Sequence, residues 1–560
     1  MKGACAAVSR LSNMIEKDET RVRLAGFLLA LVLAYTWVQP FREIYGLEAR
    51  NALMGREMLE NGLSLIPKAL GRPYPDYPPL YFWLETIFSM PLGHVTPLSA
   101  ALPSALSAVG LVAMTFFWGR RIDSVTGWLS ALILATMPPF WLQAGRATVD
   151  MLLAFNVAAA LSCFYLRDSS SRSSQKTAYA VVAAIFLVLA FLTKGPIGIV
   201  LPGVSWGGYL LWEGRWRELP GFVVFIFAIA LMCVGIEWAI VYHAGGQHMV
   251  YDVVRTQVTG RIGSMRNKPF LYYIIPLLEI GGLWWLLIVT GSLRSRKTPP
   301  ENQRYSVLRQ LTNRHAVIRL MITWGVGTLA VFTIASTQKA RYLLPLYPAV
   351  AVFIAAWVKH FSANSRMYTS PVWGTSINAF AMALLLTAVV FCFLYPELIF
   401  VPFTYILIWL ISAISGWLFV LRRINAKYYL ACAILHLLFV GLIGVELMVI
   451  PAVSRRASGK AFVKAAESQV NPRLPVVVYG IRPDGDGVKY ALHSNRKPSS
   501  IRFVNTMYAL ASIAPPYLFI TELPGDAALQ NLLVLKNYHF VAEGNIRSHQ
   551  LAAYQVDVEG

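Results

Sequence analysis

Apolar runs long enough to cross a bilayer recur along most of the chain, separated by short polar stretches. They fall at Leu24 to Val38 and near 98–118, 125–144, 149–166, 177–193, 196–212, 219–242, 270–292, 317–336, 341–358, 375–395, 399–421 and 428–450. A helix rises about 1.5 Å per residue and the hydrocarbon core is about 30 Å thick, so the pattern predicts about thirteen transmembrane helices. Leu80 to Leu92 is apolar but short and contains Glu85, which predicts a re-entrant or interfacial segment. Between the first run and this one lies the most polar interval, Ile44 to Pro79. There Leu53, Met54 and Met58 share one stripe of a helix, with Arg50, Arg56, Glu57 and Glu60 on the others. That pattern predicts an amphipathic helix along the interface, its apolar side chains in lipid and its charges in water, and an ordinary connector would share it.

From Ser454 onward the runs shorten. Leu474 to Tyr479 and Tyr517 to Thr521 read as buried strands, Ala457 to Gln469 and Ala527 to Leu535 as helices. The expected division is a membrane domain over 1–453, with an outer loop over 42–97, and a small α/β domain over 454–560. Pro483-Asp484-Gly485-Asp486-Gly487 lacks the spaced ligands and closing Glu of a calcium loop and reads as a turn.

Composition makes the bilayer reading firm. Of 560 residues, 56% are hydrophobic and 14% charged, with mean hydropathy +0.54. A net charge of +21 raises the question of nucleic acid, but Lys and Arg are scattered through short loops, and nucleic acid is excluded as a partner. The basic residues concentrate in alternate loops, which predicts a cytoplasmic N-terminus and an outer C-terminal domain. Five cysteines, with no CxxC, argue against a disulfide framework or a cysteine metal site. Charges at span boundaries cost free energy, so Asp150 and Lys194 call for a role beyond fixing topology.

Several stretches carry a resemblance. Leu47-Glu48-Ala49-Arg50 with Arg56-Glu57-Met58-Leu59 resembles the DExR…REML signature of the bacterial aminoarabinose transferase and its relatives in the protein O-mannosyltransferase superfamily. Tyr74 to Pro79 is similar to that family's Y-x-x-K-P-P, Ala147 to Asp150 to its A-x-x-D, and Phe191 to Gly195 to its FLTKG. Pro269 to Tyr273 is similar to P-F-x-Y-Y, and Lys339 to Pro345 to K-x-x-R-Y-x-L-P with one residue fewer between lysine and arginine. The likeness runs from about residue 24 to 350. It implies a GT-C fold: an α-helical polytopic membrane protein with about thirteen spans, amphipathic outer-loop helices and a small C-terminal α/β domain. It implies a glycosyltransferase that takes a sugar from a polyprenyl phosphate at the outer face of the membrane.

Such a reaction needs a carboxylate for the acceptor's proton and cations for the departing phosphate. Glu48 is the first candidate for base or for orienting the acceptor, and Asp150 is the second carboxylate. Arg50, Lys194, Lys339 and Arg341 are candidates for the phosphate. Asp76, Tyr77, Tyr81 and Tyr342 are candidates for sugar or lipid contact, with membrane anchoring as the alternative for the tyrosines. No cofactor is certain from the sequence, and a divalent metal stays open, with Asp76, His243 and His248 as weak candidate ligands. Two departures stand out. Leu47 replaces the first acidic residue of the family's pair, and Tyr77 replaces the lysine before the prolines. A polyprenyl-lipid transporter or a non-catalytic lipid-binding relative is the alternative reading. The acceptor, a glycolipid, polysaccharide or protein, is not specified by any motif.

Overall fold

The computed structural model describes residues 2–255, 270–289, 311–312, 315–335, 338–362, 371–394, 399–422, 429–523, 537–546 and 549–557. The first helices are α1 (Lys2–Thr36), α2 (Leu47–Asn61), α3 (Leu80–Ser89), α4 (Pro97–Arg120), α5 (Ser124–Ala135), α6 (Pro138–Ala144), α7 (Val149–Ser169), α8 (Ser173–Lys194), α9 (Ile197–Trp212) and α10 (Leu219–Val254). Among the described residues, nine helices are long and apolar enough to cross a membrane, or ten if α5 and α6 form one crossing bent by 67°. The bend follows from Pro138 and Pro139, which hold Met137 in extended backbone and remove two helical donors. Ile197–Trp212, Ile274–Val289 and Thr375–Phe391 are shorter apolar helices. Each predicted run is helical over most of its described residues, but three of these helices are too short to count as full spans by length.

Small residues let the central helices approach. Ala105 and Ala108 of α4 and Ala154, Ala158 and Ala160 of α7 are buried in one core. Backbones can pack closely there, where apolar side chains gain nothing over lipid. At Gly119 an added Cβ would lie 2.7 Å from the Thr126 carbonyl oxygen, so the α4–α5 corner admits only glycine without displacement.

The two ends of the bundle are chemically distinct. At one end Arg215 pairs with Asp168 at 2.6 Å and Glu218 at 2.7 Å, Arg319 pairs with Glu213, and Lys359 with Asp123 at 3.4 Å. The other end carries residues 39–96 and the C-terminal domain. There the interfacial reading of Leu80 to Leu92 holds in form: α3 has ten residues, too few to cross, and it packs on α2 and α4.

The reading of α2 needs correction. Leu53, Met54 and Met58 do not face lipid; they are buried within protein, as are Glu48 and Glu57. The helix lies between α3 and the helix Val488–His493 of the C-terminal domain. Its Ala49, Ala52 and Gly55 form a second close-packing face that a single apolar stripe did not reveal. An added Cβ at Gly55 would sit 2.8 Å from the Glu85 carboxyl carbon.

The C-terminal domain is a five-stranded sheet in the order β4-β3-β5-β7-β6, with β3 (Val476–Tyr479), β4 (Ile501–Val504), β5 (Tyr517–Glu522), β6 (Tyr538–Ile546) and β7 (His549–Val556). A short hairpin of β1 (Lys68–Ala69) and β2 (Arg72–Pro73) precedes it in the chain. Strand β3 is parallel to β4 and β5, and β7 is antiparallel to β5 and β6. The two predicted strands are β3 and β5, and the first predicted helix is Lys460–Ser468. The helix expected over Ala527 to Leu535 lies outside the described residues. Pro483 to Gly487 forms a wide turn, pinned where Asp486 pairs with Lys489 at 2.5 Å. The last span runs into the domain without a linker, as Tyr429–Gly444, a π turn over Val445–Val449, and Ile450–Ser458.

Candidate active site at the loop end of the bundle

Glu48 sits in the first turn of α2, where its charge complements the helix N-terminus. Its carboxylate is buried and both oxygens are held. Arg42 Nη2 donates to Oε2 at 2.5 Å and Nη1 to Oε1 at 3.1 Å, a forked pair. The Ala147 N–H donates to Oε2 at 3.3 Å, and Arg146 Nε stands 3.8 Å from Oε1. Arg42 in turn donates to Gln39 Oε1, and Gln39 donates to the Gly145 carbonyl at 2.8 Å. Asn51 closes the arrangement by donating to the Ala147 carbonyl at 2.8 Å. The first loop and the Gly145-Arg146-Ala147 turn are thereby locked together.

Three residues on, Asp150 opens α7. Lys194, the last residue of α8, donates to its Oδ1, and Arg341 Nε reaches Oδ2 at 2.8 Å. Lys194 also stands 3.8 Å above the Tyr342 ring, whose other neighbours include Arg341 and Phe332. The A-x-x-D, FLTKG and K-x-R-Y motifs, almost two hundred positions apart in the chain, thus meet at one carboxylate. Two cations of the kinds that bind phosphate, a compact ammonium and a forked guanidinium, are brought together at that carboxylate. Because three residues of extended chain span at most about 11 Å, Ala147 beside Glu48 and Asp150 beside Lys194 belong to one neighbourhood.

Beside this cluster runs an apolar groove of 200 Å³ between the 65–79 segment, α8 and α10. Tyr77, Pro78, Phe191, Leu192, Cys233 and Ile236 line it, so its wall includes the two residues that lead into Thr193 and Lys194.

Other expected site residues are placed differently. Arg50 makes no ion pair with Asp150; its Nη1 donates to the Tyr74 hydroxyl at 2.5 Å. It lines a cleft of 730 Å³ shared with Arg72, Arg502 and Asp484, between the hairpin and the C-terminal domain. Tyr81 is not a sugar or lipid contact: it is fully buried, its hydroxyl donating to the Ala100 carbonyl at 2.9 Å and lying 3.0 Å from Ser104 Oγ. An apolar ring followed by a helix start hid that role. Asp76 is half-buried beside Tyr74, and Tyr74 stacks on Tyr77. Lys339 caps the turn Ala340–Leu346, two residues before Arg341, next to Tyr273. His243 and His248 are exposed on α10, and among the described residues no three His, Cys, Asp or Glu side chains gather to hold a metal.

Sequence reasoning missed Arg42 and Arg146, the partners of Glu48. The signal was a buried acid in a greasy chain, which requires a cation nearby. It also missed Glu57, which accepts from the Gly71 N–H at 3.1 Å through both oxygens and holds the hairpin tip. Burial raises that carboxyl above its ordinary range, against the lowering effect of the backbone donors.

Comparison with known proteins agrees with this layout. Residues 76–238 match the family model described as dolichyl-phosphate-mannose-protein mannosyltransferase. The undecaprenyl phosphate-alpha-4-amino-4-deoxy-L-arabinose arabinosyl transferase of Pectobacterium carotovorum subsp. carotovorum is 26% identical over 363 residues, 63% of this chain and 62% of the relative's length. The protein of that name from Shewanella sediminis is 22% identical, covering 73% of each chain. Among solved structures, ArnT from Cupriavidus metallidurans bound to undecaprenyl phosphate superimposes with a TM-score of 0.71 at 17% identity, covering 94% of this chain and 97% of that one. The apo form of the same protein gives 0.67 at 18% identity, covering 95% and 98%. The chain thus shares the fold of the Cupriavidus metallidurans structure along nearly its whole length, and its sequence resembles both the mannosyltransferase family model and the arabinosyl transferases.

Proposed function

We propose that the protein moves a sugar from a polyprenyl-phosphate donor to a hydroxyl or phosphate oxygen of a lipid or glycan acceptor, at the outer face of a bacterial inner membrane. The observation that carries this reading is the meeting of Asp150, Lys194, Arg341 and Tyr342 at the end of α8, the helix whose Phe191 and Leu192 line a mostly apolar groove that also holds Glu237. A prenyl chain fits the groove by its chemistry, and the phosphate is met by Lys194 and Arg341. Asp150 holds both cations in place before the donor arrives, so no reorganisation is needed as charge builds on the leaving phosphate. Glu48, with Arg42 and Arg146, fixes the loop over which the acceptor enters, which assigns it the orienting role. Tyr342 lies where it can flank the sugar. Direct displacement inverts the anomeric centre. The N-terminus is cytoplasmic in this reading and the C-terminal domain is outside, which puts the site on the side where a translocated donor is presented.

The test is transfer by purified full-length protein in lipid vesicles, from a panel of radiolabelled polyprenyl-phosphate sugars, with a membrane lipid extract as acceptor. Release of free polyprenyl phosphate together with a labelled acceptor supports the reading. Saturable binding of polyprenyl phosphate without transfer from any donor would instead show a lipid-binding or transport protein.

A further inference from the structure

The proposed reaction needs a base, and the two expected carboxylates are both committed. Glu48 is tied to Arg42, Arg146 and the Ala147 N–H, and Asp150 to Lys194 and Arg341. A proton taken by either would break a buried, charge-assisted pair, the interaction whose loss inside a protein is most costly. Leu47, at the position where the family's first acidic residue stands, is 41% exposed and has nothing to offer a proton.

A third carboxylate reaches this corner from a different element. Glu446 lies on the π turn Val445–Val449 near the loop end of the last span, half-buried. It is within charge–charge range of Arg42, Arg146 and Glu48, and of the Tyr45 hydroxyl, which Arg146 bonds at 2.7 Å. Yet among the described residues it makes no hydrogen bond and no ion pair within 4 Å. A π turn inserts one residue into the helical repeat and re-aims the side chains it carries; such turns concentrate at functional sites. Here the insertion turns a charge toward the Arg42, Glu48 and Arg146 group without giving it a fixed partner.

We propose that Glu446 is the general base for the acceptor, supplying from the last span the carboxylate that Leu47 removes from the first loop. The inference rests on the transfer reading above. In the step, the acceptor oxygen forms its bond to the anomeric carbon as the bond from that carbon to the phosphate oxygen breaks. The bonding pair leaves with the polyprenyl phosphate, which Lys194 and Arg341 hold, and the acceptor's proton passes to Glu446 and then to water.

The experiment compares wild type with Glu446→Gln, Glu446→Asp and Glu446→Ala, full-length in vesicles, with the donor the wild type uses best. General-base removal predicts a fall in kcat of about a hundredfold or more in Glu446→Gln, with donor KM unchanged and the acid limb of the pH profile gone. Glu446→Asp keeps part of the rate, and added formate raises the rate of Glu446→Ala but not of wild type. Retention of kcat in Glu446→Gln, or a loss expressed only in donor KM, would overturn the assignment while leaving the transfer reading standing. A wild type that transfers from no donor would overturn the transfer reading itself, and this one with it.

Discussion

At the residue scale, the site is built from acids that organise cations. Removing one member of a buried pair leaves the other charge uncompensated, which costs about 3 to 5 kcal/mol. Arg42→Met is therefore expected to lower the melting temperature in lipid strongly, and Arg42→Met with Glu48→Leu to recover much of the loss; equal melting for single and double variants would contradict the pairing. Lys194→Met should weaken binding of polyprenyl phosphate by about tenfold or more, equivalent to about 1.4 kcal/mol, as measured by displacement of a labelled lipid. Asp150, Lys194 and Arg341 stood out in the sequence because a bilayer makes charges at span ends conspicuous, whereas Tyr342 stood out only through the motif that follows Lys339. Arg42 and Arg146 were not, since a basic residue in a loop reads equally well as a topology signal. Glu446 was hidden for another reason: its position within an apolar run gave no warning that the helix there changes its repeat.

At the element scale, the hairpin shows how local strain is held by tertiary contacts. Leu70 and Gly71 have φ of 58° and 72°, the left-handed pair that a two-residue hairpin turn requires. Leucine is poorly suited to that conformation, and the Glu57 carboxylate offsets the cost by accepting from the tip. Leu70→Gly should leave the hairpin intact, whereas Gly71→Ala should disorder it, because the added Cβ would also meet Ser499 Cβ at 2.7 Å. Hydrogen exchange over residues 66–75 distinguishes the two. The misreading of α2 belongs to this scale. Its one apolar stripe was visible, but the small residues Ala49, Ala52 and Gly55 carry little hydrophobicity and did not show that a second face was also covered. The strands β3 and β5 were legible as short apolar runs, whereas β6 and β7 mix polar and small residues and take their form from pairing with each other.

At the scale of the whole molecule, the C-terminal domain is clamped to the membrane bundle. Arg56 donates to the carbonyls of Ala491, Leu492 and Ser494 at 3.0, 3.2 and 2.7 Å, and to that of Arg496 at 2.9 Å, so it caps the helix Val488–His493 from outside the domain. His493 lies in this interface, and burial pushes its imidazole down to about 4, with Lys460 and Arg56 acting in the same direction. A histidine held neutral in the folded state stabilises it fully above the unfolded value near 6.5, and that contribution is lost as pH falls toward about 4. Docking should therefore loosen between those limits, read as protease access to residues 488–496, and His493→Gln should flatten the dependence. The many apolar helices and the small C-terminal sheet domain were legible from the hydropathy pattern, whereas the count of thirteen spans was not met, nine or ten being long enough among the described residues. The clamp was not legible, because its partners lie more than four hundred positions apart.

That separation has a consequence for how the protein is made. Arg56 and Glu43 leave the ribosome more than four hundred residues before the backbone carbonyls and serines that complete them. At about 5 to 20 residues per second, the first loop waits on the order of 20 to 90 s for the distant contacts of Arg56 and Glu43. The first loop is thus finished by segments translated hundreds of residues after it, and without them Arg56 and Glu43 have no mould to close against.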